Sequence, residues 1–137
     1  MVDDELIFLS AQEALTRFKD RSLSPVELLQ AQIDQAERVD PTVNALCDTY
    51  YEEALEAARQ SETRYGKTDG RVGALDGLSC VIKDEITLQG KRTTGGSLIF
   101  KDKIDTETAV MAQRLIDAGA IVHARTTTPE FLSLIHI

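Results

Sequence analysis

One arrangement constrains this chain more than any other: an apolar run, a long Gly/Thr-rich connection, an amphipathic helix and a second apolar run. "SCVI", residues 79–82, reads as a short buried strand bounded upstream by the turn-rich "TDGRVGALDGL". After the loop "TLQGKRTTGGS", the segment "DTETAVMAQRLIDAGA" predicts a helix. Asp105 or Thr106 is its expected cap, Met111, Leu115 and Ala118 its inner face, and Gly119 its C-terminal glycine. "AIVHAR" is the second strand and "TTTPEF" the turn that follows it. Strand, connection, helix and strand make a βαβ-like unit, so a parallel pair beneath helices is the expected architecture. Reactive groups in open α/β sheets gather at the carboxyl ends of strands. Lys83 stands at one such end, between the apolar run and the acids Asp84 and Glu85.

The N-terminal third reads as helices. Ser10 with Glu13 fits a capping box ahead of Ala14, Leu15 and Phe18. In "SLSPVELLQAQIDQAERVDP", Ser24 is a natural N-cap, Pro25 suits the first helical position and Glu27 completes a second box. Val26, Leu29, Ile33 and Ala36 then form one apolar stripe, and Asp40-Pro41 is the expected end. "VNALC" predicts a brief strand, and "DTYYEEALEAARQSETRYG" a helix capped by Asp48.

Charge and cysteine usage narrow the function classes. A net charge of −8 argues against nucleic acid and against an anionic membrane surface, both of which need clustered Lys and Arg. Apolar stretches fall far short of the roughly 20 residues of a membrane span, and acids occupy "MVDDELIFLS" where a secretory leader carries basic residues. Cys47 and Cys80 lack metal or redox spacing, and a reduced, cytoplasmic setting is expected although their pairing stays open. His123 and His136 have no partners at ligand spacing, so neither a metal nor a cofactor is expected, and both histidines read as packing or surface residues.

Lys83 has two readings. In one it leaves a strand end and reaches solvent along its methylenes, as in a non-catalytic α/β binding module. In the other it is a base held in a pocket. At an ordinary pKa of about 10.4, about one molecule in 2,500 is neutral at pH 7, so a base requires apolar burial or a neighbouring cation. Nearby carboxylates oppose that, and the expected work of Asp84 and Glu85 is to accept hydrogen bonds that fix the loop.

The segment "GALDGLSCVIKDEITLQGKRTTGGS" resembles the lysine-bearing region of the amidase signature enzymes, where a "PLxGxPxxxKD" strand precedes a Gly/Thr/Ser loop. "DTETAVMAQRLIDAGAIVHARTTTPEF" is similar to the family's "DAxxVxxLxxAGAIxxGKTNTPEF" run, and "SLSPVELLQAQIDQAERVDPTVNAL" to its N-terminal helix. The resemblance extends from about Ser10 to Phe131. It implies N-terminal helices and the first part of an α/β/α sandwich with a mixed sheet. It implies amide hydrolysis with a Ser–cisSer–Lys triad, in which the lysine activates a cis-peptide serine that activates the nucleophilic serine. Only the lysine carries over, onto Lys83; neither serine motif is found. Ser97 in "TTGGS" matches a structural loop position and is not read as a nucleophile. The implied partner is a small-molecule amide, and the full-length protein has room for a homodimer. Ser79 stands where proline is frequent, and "HART" where the family has Gly-Lys-Thr. "TPEF" at residues 128–131 differs from the "MDEF" of the glutaminase subunit of the tRNA-dependent amidotransferase, the alternative within the family.

"LSLIHI", residues 132–137, breaks the pattern. It is what "CTGTCTCTTATACACATC" encodes, the mosaic-end adapter of a transposase-based sequencing library. The expectation is that residues 1–131 are the N-terminal portion of an incomplete amidase domain, residues 132–137 are adapter read-through, and the piece alone is inactive and liable to aggregate at its open sheet edges.

Overall fold

Capping chemistry decides where the first long helices begin. In the computed structural model, which describes residues 4–67 and 69–133, a short α1 (Asp4–Ile7) leads into α2 (Ala11–Asp20) and α3 (Pro25–Val43). Residues 134–137, with His136 and most of the adapter-like tail, lie outside the described residues. At α3 both halves of the expected box form: Ser24 Oγ accepts from Val26 N at 3.0 Å, and Ser24 N donates to Glu27 Oε2 at 2.8 Å. At α2 one half forms. Ser10 Oγ accepts from Glu13 N at 3.2 Å, but the Glu13 carboxylate turns to Arg17, 2.9 Å away, because an i,i+4 ion pair competes for it.

Helix α3 overruns its predicted end. Pro41 lies inside the last turn, where the N–H it lacks belongs to the fraying end of the ladder. Asn44 stops the helix instead, in the left-handed conformation at φ 54°, and Asp40 Oδ1 accepts from Ala45 N and Leu46 N at 2.7 and 3.0 Å. Strand β1 (Leu46–Thr49) follows, then α4 (Tyr51–Gly66), β2 (Ser79–Lys83), α5 (Val110–Asp117) and β3 (Ile121–Thr126). Asp48 does not cap α4; it lies within β1 and pairs with Arg92 at 2.7 Å. Helix α5 is shorter than predicted. Asp105 does not cap it either, since its carboxylate already accepts from Leu88 N at 2.9 Å. The inner face is Ala112 and Leu115, while Met111 is 55% exposed, a shift of one position around the helix.

The sheet order is β1-β3-β2. Strand β3 runs parallel to β2, as the βαβ pattern requires, and antiparallel to β1, so the sheet is mixed. Lys83 pairs with Thr126, which puts the carboxyl ends of both parallel strands side by side. Ile121 packs with Leu29 and Ile33 of α3 and Ala54 and Ala58 of α4. Val122 joins the opposite cluster of Ile82, Leu88 and Ala112. Alternate residues of β3 thus face two helix layers, giving an α/β/α arrangement. Phe18, Leu23 and Leu28 extend the first layer toward the N-terminus. Gly119 closes α5 at φ 97°, and a Cβ there would meet Asp76 Cα at 2.7 Å, so this position admits no side chain.

His123 is a packing residue, buried in β3 with its ring stacked on Tyr51 at 6.3 Å. Burial pushes its pKa below the ordinary 6.5, outweighing a backbone hydrogen bond at Cys80 that works the other way. The unfolded chain therefore binds a proton near pH 6.5 that the native chain resists. Stability contributed by this site is complete above that pH and falls as the pH drops below it, by up to about 1.4 kcal/mol per pH unit. Urea midpoints measured between pH 7.5 and 5 should fall in the wild type, and the component between pH 6.5 and the carboxylate range should be absent in His123→Gln.

Candidate active site

The crest over β2 and β3 is built by one carboxylate. Asp84 follows Lys83 directly and is 3% exposed. Its Oδ1 accepts from Thr94 N at 2.9 Å, its Oδ2 from the Thr94 hydroxyl, and its carbonyl from Gly95 N at 2.9 Å. Asp84 N in turn donates to Thr126 O at 2.9 Å. Strand β2, the Gly/Thr loop and the end of β3 are thereby fastened at one residue. The "TTTPEF" turn joins them: Phe131 N donates to Gly95 O at 2.9 Å, and the Ser97 hydroxyl to Glu130 Oε1 at 2.8 Å. Gly96, at φ 72°, sits so close to that turn that a Cβ would approach Thr128 O to 2.5 Å.

Lys83 leaves this crest half-exposed. Among the described residues its ammonium meets Glu85, Nζ to Oε1 3.7 Å, while Asp84 faces the loop instead. The division between the two acids is what the expectation of loop-fixing carboxylates requires for Asp84; Glu85 is the lysine's ion-pair partner.

Beneath the crest lies a residue that no sequence argument singled out. Arg125 of β3 is 0% exposed, and its Nη2 donates to Ile86 O at 2.8 Å, Thr93 Oγ1 at 2.6 Å and Lys83 O at 3.4 Å. Its Nε lies 3.4 Å from Asp84 Oδ1, an ion-pair contact rather than an aligned hydrogen bond. The Thr93 hydroxyl donates onward to Asp105 Oδ2. The available signal was an arginine closing the apolar run "AIVHAR".

The remaining nucleophile candidates are committed elsewhere. Ser97 is 3% exposed, caps a short 3-10 turn (Leu98–Phe100) and donates to Glu130, a structural role. Ser79 donates to Gln32 Oε1 of α3 at 2.5 Å, which ties the strand to the helix layer where the family commonly has proline. Cys47 and Cys80 are free thiols; burial pushes both up, reinforced at Cys47 by the Asp84 and Asp48 carboxylates, so neither is an activated thiolate. Among the described residues no group of three or more His, Cys, Asp or Glu side chains is placed to hold a metal.

The architecture that carries this crest is found in solved amide hydrolases. A bacterial aryl acylamidase of the amidase signature enzymes superposes with a TM-score of 0.85 at 26% identity, covering 93% of this chain and 27% of that one. The chain has that α/β/α fold. A model of the amidase family matches residues 27–136, and the chain belongs to that family. It is similar to an acylamidase of Rhodococcus erythropolis, 34% identical over 95% of this chain and 27% of the relative. It is also similar to a subunit of the glutamyl-tRNA(Gln) amidotransferase of Carboxydothermus hydrogenoformans, 32% identical over 93% of this chain and 26% of the relative. The chain thus spans about a quarter of the length of the curated relatives it matches.

Proposed function

We propose that residues 1–131 are the lysine-bearing portion of an amide hydrolase that works by a Ser–cisSer–Lys mechanism, and that residues 132–137 are foreign to it. The observation that carries this reading is the position of Lys83: the family's lysine motif ends the strand parallel to β3, and the carboxylate beside it is engaged by the loop. Lys83 takes a proton from the cis-peptide serine, which takes one from the nucleophilic serine. That serine attacks the amide carbonyl, the C–N bond breaks, and ammonia or an amine leaves with the relayed proton; water then releases the acid. Both serines belong to sequence not contained in these 137 residues. An exposed apolar ridge beside the crest (Leu98, Ile99, Phe100 and Phe131) supports a larger domain around this piece.

A small-molecule amide as the substrate and a cytoplasmic location complete the reading; among the described residues no helix is long and apolar enough to cross a membrane. A second reading, the glutaminase component of an amidotransferase, is supported by the similarity to the Carboxydothermus protein. Thr128 and Pro129 in the "TPEF" turn favour a general amidase over it. The test is an assay of the purified 137-residue chain beside the complete open reading frame on small aliphatic and aromatic amides. The complete protein should turn over and the short chain should not. Turnover by the short chain that disappears in Lys83→Ala would overturn the division of the machinery.

A further inference from the structure

We propose that Arg125 is a positioning residue for Lys83, a role that rests on Lys83 being the base. Among the described residues Arg125 makes all its hydrogen bonds through Nη2, while its buried Nε and Nη1 make none and Asp84 balances the charge, which a buried cation requires. The acceptors that Arg125 meets are not scattered. Lys83 O and Ile86 O are the two ends of the turn that begins at the lysine, closed by Glu85 N and Ile86 N donating to Lys83 O at 2.8 and 3.1 Å. One Nη2 reaches both ends, at 3.4 and 2.8 Å, and also Thr93 Oγ1, at 2.6 Å, at the start of the Gly/Thr loop.

The consequence is chemical. A lysine has four rotatable side-chain bonds, so a precise Nζ position requires a fixed root. Proton transfer is efficient only when the acceptor is held at hydrogen-bond distance, and about 1 Å of misplacement can cost about 100-fold. Arg125 holds the root from below while Asp84 holds the loop above, and the charge of Arg125 is balanced by Asp84 at 3.4 Å. A lysine at this position, the residue found in the resembling motif, supplies the same charge and fewer directed donors.

The experiment uses the complete open reading frame and compares Arg125→Gln, Arg125→Lys, Thr93→Val and Lys83→Ala. Arg125→Gln should lower kcat about 10- to 100-fold on a small amide with KM within about threefold, and move the acid limb of the kcat–pH profile. Arg125→Lys should restore most of kcat and return the limb. Thr93→Val removes one acceptor and leaves the charge paired, so it should act in the same direction more weakly, and it decides the matter if Arg125→Gln does not fold. A folded Arg125→Gln or Thr93→Val with altered thermal stability but a wild-type kcat–pH profile overturns the positioning role while leaving the base intact. Retention of turnover by Lys83→Ala instead removes the base reading, and the positioning role with it.

Discussion

Lys83→Ala in the complete open reading frame should lower kcat on a small amide by about 1,000-fold or more with little change in KM. In the proposed mechanism the amine's work is done in the transition state, where it receives a proton as the hydroxyl relay attacks without touching substrate in the ground state. Lys83→Arg should be nearly as damaged. A guanidinium keeps the charge and much of the length but does not release its proton near neutral pH, so it cannot serve as an acceptor. The pair of variants therefore separates proton transfer from simple charge. Turnover within tenfold of wild type in both would return Lys83 to the role of a solvated strand end, as in a binding module, and a rescued Lys83→Arg alone would recast it as an electrostatic anchor.

How far the sequence carried the site depended on the range of the interactions involved. The α3 box was legible because Ser24, Pro25 and Glu27 lie within four residues of one another and act locally. The parallel β2–β3 pair was legible because a helix of the right period separates two apolar runs. Asp48 and Asp105 were misread for the converse reason. Both have the local signature of a helix cap, but Asp48 is taken by Arg92 across 44 positions, and Asp105 by Leu88 N and Thr93 across 17 and 12. A charge-assisted tertiary bond outcompetes a cap when the two cannot be made together. The inner face of α5 slipped by one residue because Met111 and Ala112 satisfy the same spacing and only packing against Ile82 and Leu88 chooses between them. Arg125 was invisible to periodicity, which places a charge outside; its burial is specified by two carbonyls and a carboxylate of residues 83–86 and by the Thr93 hydroxyl.

That same burial makes Asp84→Ala the substitution with the largest expected cost in stability. Without the carboxylate, Arg125 remains fully buried with no opposite charge beside it, a situation that typically costs about 3–5 kcal/mol. Thr94 N–H and the Thr94 hydroxyl also lose their acceptors, which leaves the Gly/Thr loop tied to residue 84 through the Gly95 N–H bond to its backbone carbonyl. Against the roughly 5–15 kcal/mol that stabilises a typical domain, the loss consumes a large share, and urea unfolding of the 137-residue chain should show a strongly lowered midpoint. Asp76→Ala provides the contrast. Burial pushes the Asp76 carboxyl up, and the Arg64 fork at 2.8 and 2.6 Å outweighs it and holds the group below the usual carboxylate range. Arg64 is partly exposed, however, so the cation left behind can hydrate and the cost should be clearly smaller. Adding Arg125→Met to Asp84→Ala should recover part of the loss, since removing both charges is milder than stranding one. A single Asp84→Ala within 1 kcal/mol of wild type would mean that Arg125 finds its compensation elsewhere, and that the crest is held by its backbone hydrogen bonds rather than by this pair.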